Sequence, residues 1–473
     1  MNTAAAAQAA RADAAATPIS RELAGFVANL EWAAIPAEVR ERAKHLMLDA
    51  IGCALAAKRF EFALASLRAI ADLGGRGERA VIGHSERFPL RDAVLANGIL
   101  MHGLDYDDTH SEGIVHLTVG ILPAALGLAA QLAKPGRDLL VAYVGAVEAG
   151  ARIASVAKGA FHQVGFHPTG VVGAFASALA AGKLYGLDAA RLTHAQGVAL
   201  SVAAGSLEFL EDGAWTKRFH PGWAGVGGIT AAAMARHGFV APAAAYEGRF
   251  GLYKSHLGPL DAPCDYGRAT RGLGQTWETM NVAVKPFPAC HFVHAFADAA
   301  IALKRRGVDV AKITSITALV PAEVVKTVCE PAESKRRPAN DYDAKFSVPY
   351  AIAASMRAGR FGLAELEEAA LRDPQTLALA ARVECRVDPG SGFPKHYSGE
   401  VVVHLADGSE IRHREQVNRG SADRPLSNAE VVEKFMDNAA LGVSAHRALR
   451  IRDAILGLDE APARALEDAL HEG

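Results

Sequence analysis

The residues best equipped for chemistry are concentrated in His102–His116, which reads HGLDYDDTHSEGIVH. Three histidines, three aspartates, a threonine, a tyrosine and a glutamate share this span, bracketed by Ala/Leu/Gly-rich sequence that reads as buried helix. Charge between core helices is costly unless it is paired or used. On a continuing helical turn, Asp105, Asp108 and Thr109 would share a face and Asp107 would point away. Carboxylates beside histidines are also a donor set for divalent cations, but no HExxH or comparable ligand spacing accompanies them. A solvated loop would account for the carboxylates without chemistry.

Three further clusters follow. GFHPTG (Gly165–Gly170) places His167 just ahead of a helix expected over Val171–Leu184. Free amides and the dipole at a helix N-terminus favour an anion and lower a histidine's pKa, and a neutral imidazole there is a candidate general base. A capping or core histidine would look the same. AWTKRFHPG (Ala214–Gly222) supplies Lys217, Arg218 and His220 and reads as a basic loop before a helix over Gly225–Ala235. VKPFPACHFVH (Val284–His294) sets two prolines between Lys285 and the Cys290-His291 pair, stiffening the backbone. Adjacent side chains point apart, which argues against a Cys–His nucleophile. No Gly-rich phosphate loop, GxSxG elbow or lysine context for pyridoxal phosphate is present. Histidines, cations and a few carboxylates together suit proton removal next to a carboxylate, with cations binding the substrate and stabilising enolate-like charge.

The elements that must position these groups are mostly helical. Half of the 473 residues are hydrophobic but only 7% aromatic, so the core is built from Ala, Leu, Val and Ile, and 45 glycines suggest close helix packing. A net charge of -2 gives no footprint for nucleic acid. Five scattered cysteines without CxxC spacing indicate reduced thiols in a cytoplasmic protein. The Ala-rich residues 1–18 lack an apolar signal core and read as a flexible tail. Ile114–Ala133 has the length of a membrane span, but its His116, Thr118, Pro123 and Gln131 make a buried core helix the better reading, with no membrane partner.

Helices are expected from Ser20, from Pro36, over Arg91–Leu104 and repeatedly through Gly120–Ala204, where Glu148 and Arg152 are spaced to pair on one helix surface. Beyond residue 281 the pattern changes. A short strand is expected earlier at Ala80–Gly83; here Ile313–Val325 is β-branched, Leu377–Val387 and Gly399–Leu405 alternate, and Asp407-Gly408 turns into Glu410–Arg414. Ser427 and Glu430 have capping-box spacing and open a helical tail through Leu470. The expected fold is therefore mostly α: a large all-helical domain (19–280), a smaller α+β domain (281–424), and C-terminal helices (425–473) that return to the first.

Taken together, HGLDYDDTH (His102–His110), GFHPTG, WTKRFHPGWAGVGG (Trp215–Gly228), YEGRFGLY (Tyr246–Tyr253), KPFPACHFVHA (Lys285–Ala295) and KFSVPYAIAASM (Lys345–Met356) resemble the MmgE/PrpD family in order and spacing. That family includes 2-methylcitrate dehydratase, cis-aconitate decarboxylase and iminodisuccinate epimerase, and the resemblance runs from Ile19 to the C-terminal helices. It implies that the α+β domain is a lid, that the active site lies between the domains of a homodimer, and that no cofactor or metal is used. Carried over motif by motif, it implies catalytic roles for Asp105, Thr109, His116, His167 and a lid tyrosine, Tyr350. Lys217 and Lys285 would bind carboxylates, with Cys290 and His291 also at the substrate. Two positions depart from the family pattern: His116-Leu117 stands where dehydratase- and decarboxylase-like members have His-Pro, and Cys290-His291 where some have histidine.

The function this implies is a cofactor-independent lyase moving a proton next to a carboxylate of a small di- or tricarboxylate, in the manner of 2-methylcitrate dehydratase. An epimerase, a cis-aconitate-type decarboxylase, and a non-catalytic carboxylate-binding homologue are the alternatives. In this reading His167 is the base or acid, Asp105 and Thr109 orient substrate and a second proton carrier, His116, and Tyr350 closes the pocket.

Overall fold

The computed structural model describes residues 17–472 apart from 261, so the expected tail (1–18) lies almost wholly outside the described residues. The chain is mostly α with a small sheet. Its longer helices are α1 (Ile19–Asn29), α2 (Ala37–Ala57), α3 (Glu61–Gly74), α4 (Leu90–His102), α5 (Thr118–Gln131), α6 (Gly136–Val156), α7 (Pro168–Leu184), α8 (Ala189–Ala199) and α9 (Thr216–Arg236). After an α+β segment containing α10 (His294–Arg305), α11 (Val348–Ala358) and α12 (Pro374–Ala380), the chain ends in α13 (Asn428–Ala440), α14 (Ala445–Leu456) and α15 (Ala463–Leu470).

Two hydrophobic cores divide these elements. The first joins α1–α9 with α13–α15, so the last three helices pack back onto the N-terminal bundle. Ser427 starts that return with the expected capping box: its hydroxyl accepts from Glu430 N, and the Glu430 carboxylate accepts from Ser427 N at 2.8 Å. The second core is drawn from residues 287–403 and from three residues of the N-terminal half, Ile114, Leu207 and Phe209.

Small residues set the helix spacing that matters here. At the crossing of α4 and α9, a Cβ on Gly98 would come within 2.4 Å of Gly222 Cα, and one on Gly228 would meet Ser177 of α7 at the same distance. This packing extends α9 two turns earlier than expected, so Lys217, Arg218 and His220 lie on a helix rather than on a basic loop.

Helix α6 is long and apolar enough to cross a membrane, yet its most apolar 18 residues are all buried within the fold. Glu148 and Arg152 make the expected pair on one helix face, at 2.6 Å, and that face is buried in the core. Glu148 also accepts from the main-chain N–H groups of Glu278 (2.9 Å) and Thr279 (2.8 Å). That anchor delivers a short strand, β4 (Val282–Ala283), antiparallel to β3 (Thr109–His110). The preceding hairpin, β1 (Arg79–Ala80) with β2 (Arg87–Phe88), replaces the strand expected at Ala80–Gly83.

The larger sheet has the order β6-β5-β7-β8, from β5 (Ile313–Val320), β6 (Val383–Val387), β7 (Gly399–Leu405) and β8 (Glu410–Glu415), with only β5 and β6 parallel. The turn between β7 and β8 uses Gly408 at φ 83. The strand expected from Leu377 begins only at Val383. Asp373 caps α12 by accepting from Thr376 N, and Pro374 fills its first position, a helix-start signal that outweighs the alternation.

Candidate active site

The site is built at the C-terminal end of α4. A helix leaves its last carbonyls unpaired and carries partial negative charge there. Cations take the four consecutive carbonyls just beyond its last residue, those of Gly103–Tyr106. Arg218 Nε donates to Gly103 O (2.8 Å), Lys345 Nζ to Leu104 O (2.8 Å), Lys285 Nζ to Asp105 O (3.0 Å) and Lys434 Nζ to Tyr106 O (2.7 Å). Arg218 is itself held between the rings of Phe62 and Tyr342, 4.1 and 4.2 Å from their centroids. Under these constraints Asp105 adopts φ 52, and the helical turn imagined for Asp105–Thr109 does not form. Asp107, expected to point elsewhere, is therefore the carboxylate that meets the histidines.

Asp105 is fully buried, with Oδ1 2.8 Å from both Lys217 Nζ and Lys285 Nζ. Burial alone would push its carboxyl up, but the two ammonium groups, with His116, hold it far below the usual range. Two cations sharing one carboxylate leave a surplus positive charge, and Asp105 Oδ2 has no hydrogen-bond partner among the described residues.

Opposite stand the imidazoles. His102 Nδ1 donates to both oxygens of Asp107 at 2.9 and 3.0 Å. His116 Nδ1 lies 2.6 Å from Asp108 O and 3.3 Å from each of Thr109 Oγ1 and Asp107 Oδ2. His167 occupies the N-cap position of α7, with Nδ1 3.0 Å from His220 Nδ1. The His102 ring stacks on His167 at 5.6 Å and lies 4.8 Å from His116. Burial first, and Lys285 among its neighbours, lower His116 to about 4 despite Asp107; burial and then His220 lower His167 well below its ordinary value. The neutral His167 expected from its helix terminus is thus produced chiefly by desolvation and by His220. Asp107 is held well below its ordinary value, against burial, by His102 and His116. Asp108 is pushed up to about 8 by burial and by Asp107, while its Oδ2 accepts from Thr118 at 2.6 Å.

Asp105, Thr109, His116, His167, Lys217, Lys285, Cys290 and His291 line one cavity, closed by Ile114, Leu207, Phe209, Phe292, Phe346 and Tyr397. Its apolar wall belongs to the second core, and its volume of about 30 Å³ holds one or two waters.

Tyr350 is the exception. It is buried in the second core, where its hydroxyl donates to Glu365 O at 2.7 Å, and it does not reach the cavity. The aromatic hydroxyl that does line it is Tyr397, tied to Ser111 O at 2.6 Å. Leu117, one of the departures expected to touch substrate, points into the helical core against Gly150. Cys290 does line the cavity, but burial raises its thiol to about 11, leaving no thiolate for nucleophilic attack.

Sequence reasoning gave no site role to His102, Asp107 and Lys345, which brace the site, or to His162, which lines it. His162, five residues before His167, was a readable signal; His102 merely ends a helix, and Tyr397 lies in a Gly/Pro loop without pattern.

This arrangement can hold a small polyanion and exchange a proton with it inside a closed pocket. The chain belongs to the MmgE/PrpD family: the family's N-terminal domain matches residues 21–264 and its C-terminal domain residues 287–460. Similar proteins include the cis-aconitate decarboxylase-like protein oryM of Aspergillus oryzae, 27% identical over 93% of this chain and 94% of that protein. The cis-aconitate decarboxylase of Aspergillus terreus is 26% identical with 93% of each chain covered, and that of Homo sapiens 26% identical with 89% and 88% covered.

Proposed function

We propose that this protein is a cofactor-independent carboxy-lyase acting on a small unsaturated di- or tricarboxylate. The observation that carries the reading is Asp105 bracketed by Lys217 and Lys285 across a closed cavity from the neutral His167. Full-length similarity to proteins named cis-aconitate decarboxylase favours loss of CO2 over the loss of water expected first. In this reaction the bond between a carboxylate carbon and its neighbour breaks, CO2 leaves, and the electron pair delocalises into the remaining unsaturated acid. A proton from solvent, carried by His167 or His116, then quenches the carbanion. Lys217 and Lys285 bind the carboxylates and stabilise the charge as it develops. Asp105 and Thr109 orient the groups.

A six-carbon triacid exceeds a cavity of about 30 Å³, so the second core acts as a lid that parts to admit it. We also propose that the chain is a homodimer, associating through the exposed aromatic ridge of α9, where Phe219 and Trp223 stack at 5.6 Å.

The test is CO2 release from a panel of polycarboxylates that includes cis-aconitate and 2-methylcitrate. Release from an unsaturated acid supports the reading. Water loss from 2-methylcitrate without CO2 would replace it with a hydro-lyase.

A further inference from the structure

Three imidazoles converge beside the cavity more closely than proton transfer to a substrate requires. One ring nitrogen each of His102, His116 and His167 lies within 4.8 Å of the other two, so a single point lies within about 2.8 Å of all three. Zinc–imidazole bonds are about 2.0–2.1 Å long, so each ring would need to move inward by less than about 1 Å. The adjoining cavity has room for an ion and one water.

The hydrogen bonds around the trio orient it for such an ion. Carboxylates and carbonyls only accept, so His102 carries its proton on Nδ1, facing Asp107, and His116 carries its own on Nδ1, facing Asp108 O. His167 Nδ1 is engaged by His220. Each outer nitrogen therefore has a partner, which is the support that metal-bound imidazoles use to fix their tautomer. Inward, the Nε2 atoms of His102 and His167 are buried and lack any hydrogen-bond partner among the described residues. Lys217 and Lys285 are both taken by Asp105, whereas Asp107 lies against His102 and His116. An added dication therefore meets the Asp107 carboxylate on the imidazole side.

We propose that His102, His116 and His167 form a capture site for a borderline-soft divalent ion such as Zn2+, and that the captured ion inhibits the protein. Three neutral nitrogen donors select Zn2+ or Co2+ over Mg2+ or Ca2+, which require oxygen ligands. The bound ion takes the His167 lone pair and fills the cavity, with water in its fourth position. Binding itself is independent of the proposed reaction; only the inhibition rests on that reading.

The experiment uses the full chain, stripped with a chelator and titrated with Co2+ and then Zn2+, with Mg2+ as control. Expected are one ion per chain, the intense visible absorption of tetrahedral Co2+, and affinity at least 100-fold weaker in His102→Gln and His167→Gln. X-ray absorption on the zinc-loaded wild type needs no variant and is expected to show three imidazoles. Absence of a stoichiometric ion, or fewer than two imidazoles around it, overturns the site. So does affinity unchanged in both variants. Histidine-dependent binding in a protein that turns over no acid leaves the site standing and removes the carboxy-lyase. His167-dependent turnover that stoichiometric Zn2+ does not suppress overturns the inhibitory role.

Discussion

Lys285 grips Asp105 at two points, its ammonium lying 2.8 Å from Oδ1 and 3.0 Å from the main-chain carbonyl of the same residue. One contact holds the carboxylate and the other holds the left-handed backbone that aims it. Lys285 follows β4, and β4 is registered on β3 through Thr109–Ala283 and His110–Val282, so the short pairing fixes the lysine relative to the acidic turn. Replacing Lys285 by Met leaves a buried carboxylate with one cation and a carbonyl with none. The expected loss is about 3 kcal/mol of stability, near the lower end for breaking a buried pair because Lys217 remains. Urea unfolding measures it, and KM for the substrate is expected to rise in parallel.

Stability should depend on pH in two opposed windows. His116 and His220 are lowered to about 4 and His162 to about 3, chiefly by burial. Between pH 4 and the unfolded value near 6.5 the unfolded chain binds protons that the native one refuses. Stability is therefore complete above pH 6.5 and falls below it, by up to about 1.4 kcal/mol per pH unit for each histidine. Asp108 acts in the other direction. Raised to about 8, it keeps a proton that the unfolded chain loses near pH 4, so its contribution falls as pH rises through that whole range and opposes the histidines below 6.5. Urea midpoints at pH 4.5, 6.5 and 8 should peak near 6.5, and Asp108→Asn should flatten the alkaline side and steepen the acid side.

Tyr350→Phe tests the placement of that residue away from the cavity. Removing a hydroxyl bonded to Glu365 O should cost about 1 kcal/mol of stability and leave kcat within twofold of wild type. A 100-fold fall in kcat would return Tyr350 to the chemistry.

The α9 ridge is tested by Trp223→Glu, at a side chain 45% exposed in the single chain. Light scattering after size exclusion should show wild-type dimer and variant monomer. A monomeric wild type would dispose of this interface.

The sequence carried unequal information about these parts. Ser427 and Glu430, Asp407-Gly408 and the β-branched run at Ile313 are local signals, and each became the cap, turn or strand that its chemistry dictates. The motifs holding Asp105, His167, Lys217 and Lys285 were legible as polar residues interrupting apolar sequence. Their relative placement was not. Arg218, Lys345, Lys285 and Lys434 come from four distant segments to capture consecutive carbonyls, and no local pattern announces a turn held from outside. The same long-range capture brings Asp107, rather than Asp108, beside the histidines. Tyr350 misled because a motif position does not reveal which side of its helix faces the cavity.

The central claim is that His167 handles the proton while the paired lysines hold an unsaturated polycarboxylate. The direct measurement is proton NMR in D2O of wild type and His167→Ala with the acid panel, alongside CO2 release. The account predicts a decarboxylated product carrying deuterium at the carbon next to the remaining carboxylate. His167→Ala should slow its formation by at least about 100-fold while melting as wild type does. Near-normal turnover in His167→Ala, or no change in any acid of the panel with the wild type, would contradict it.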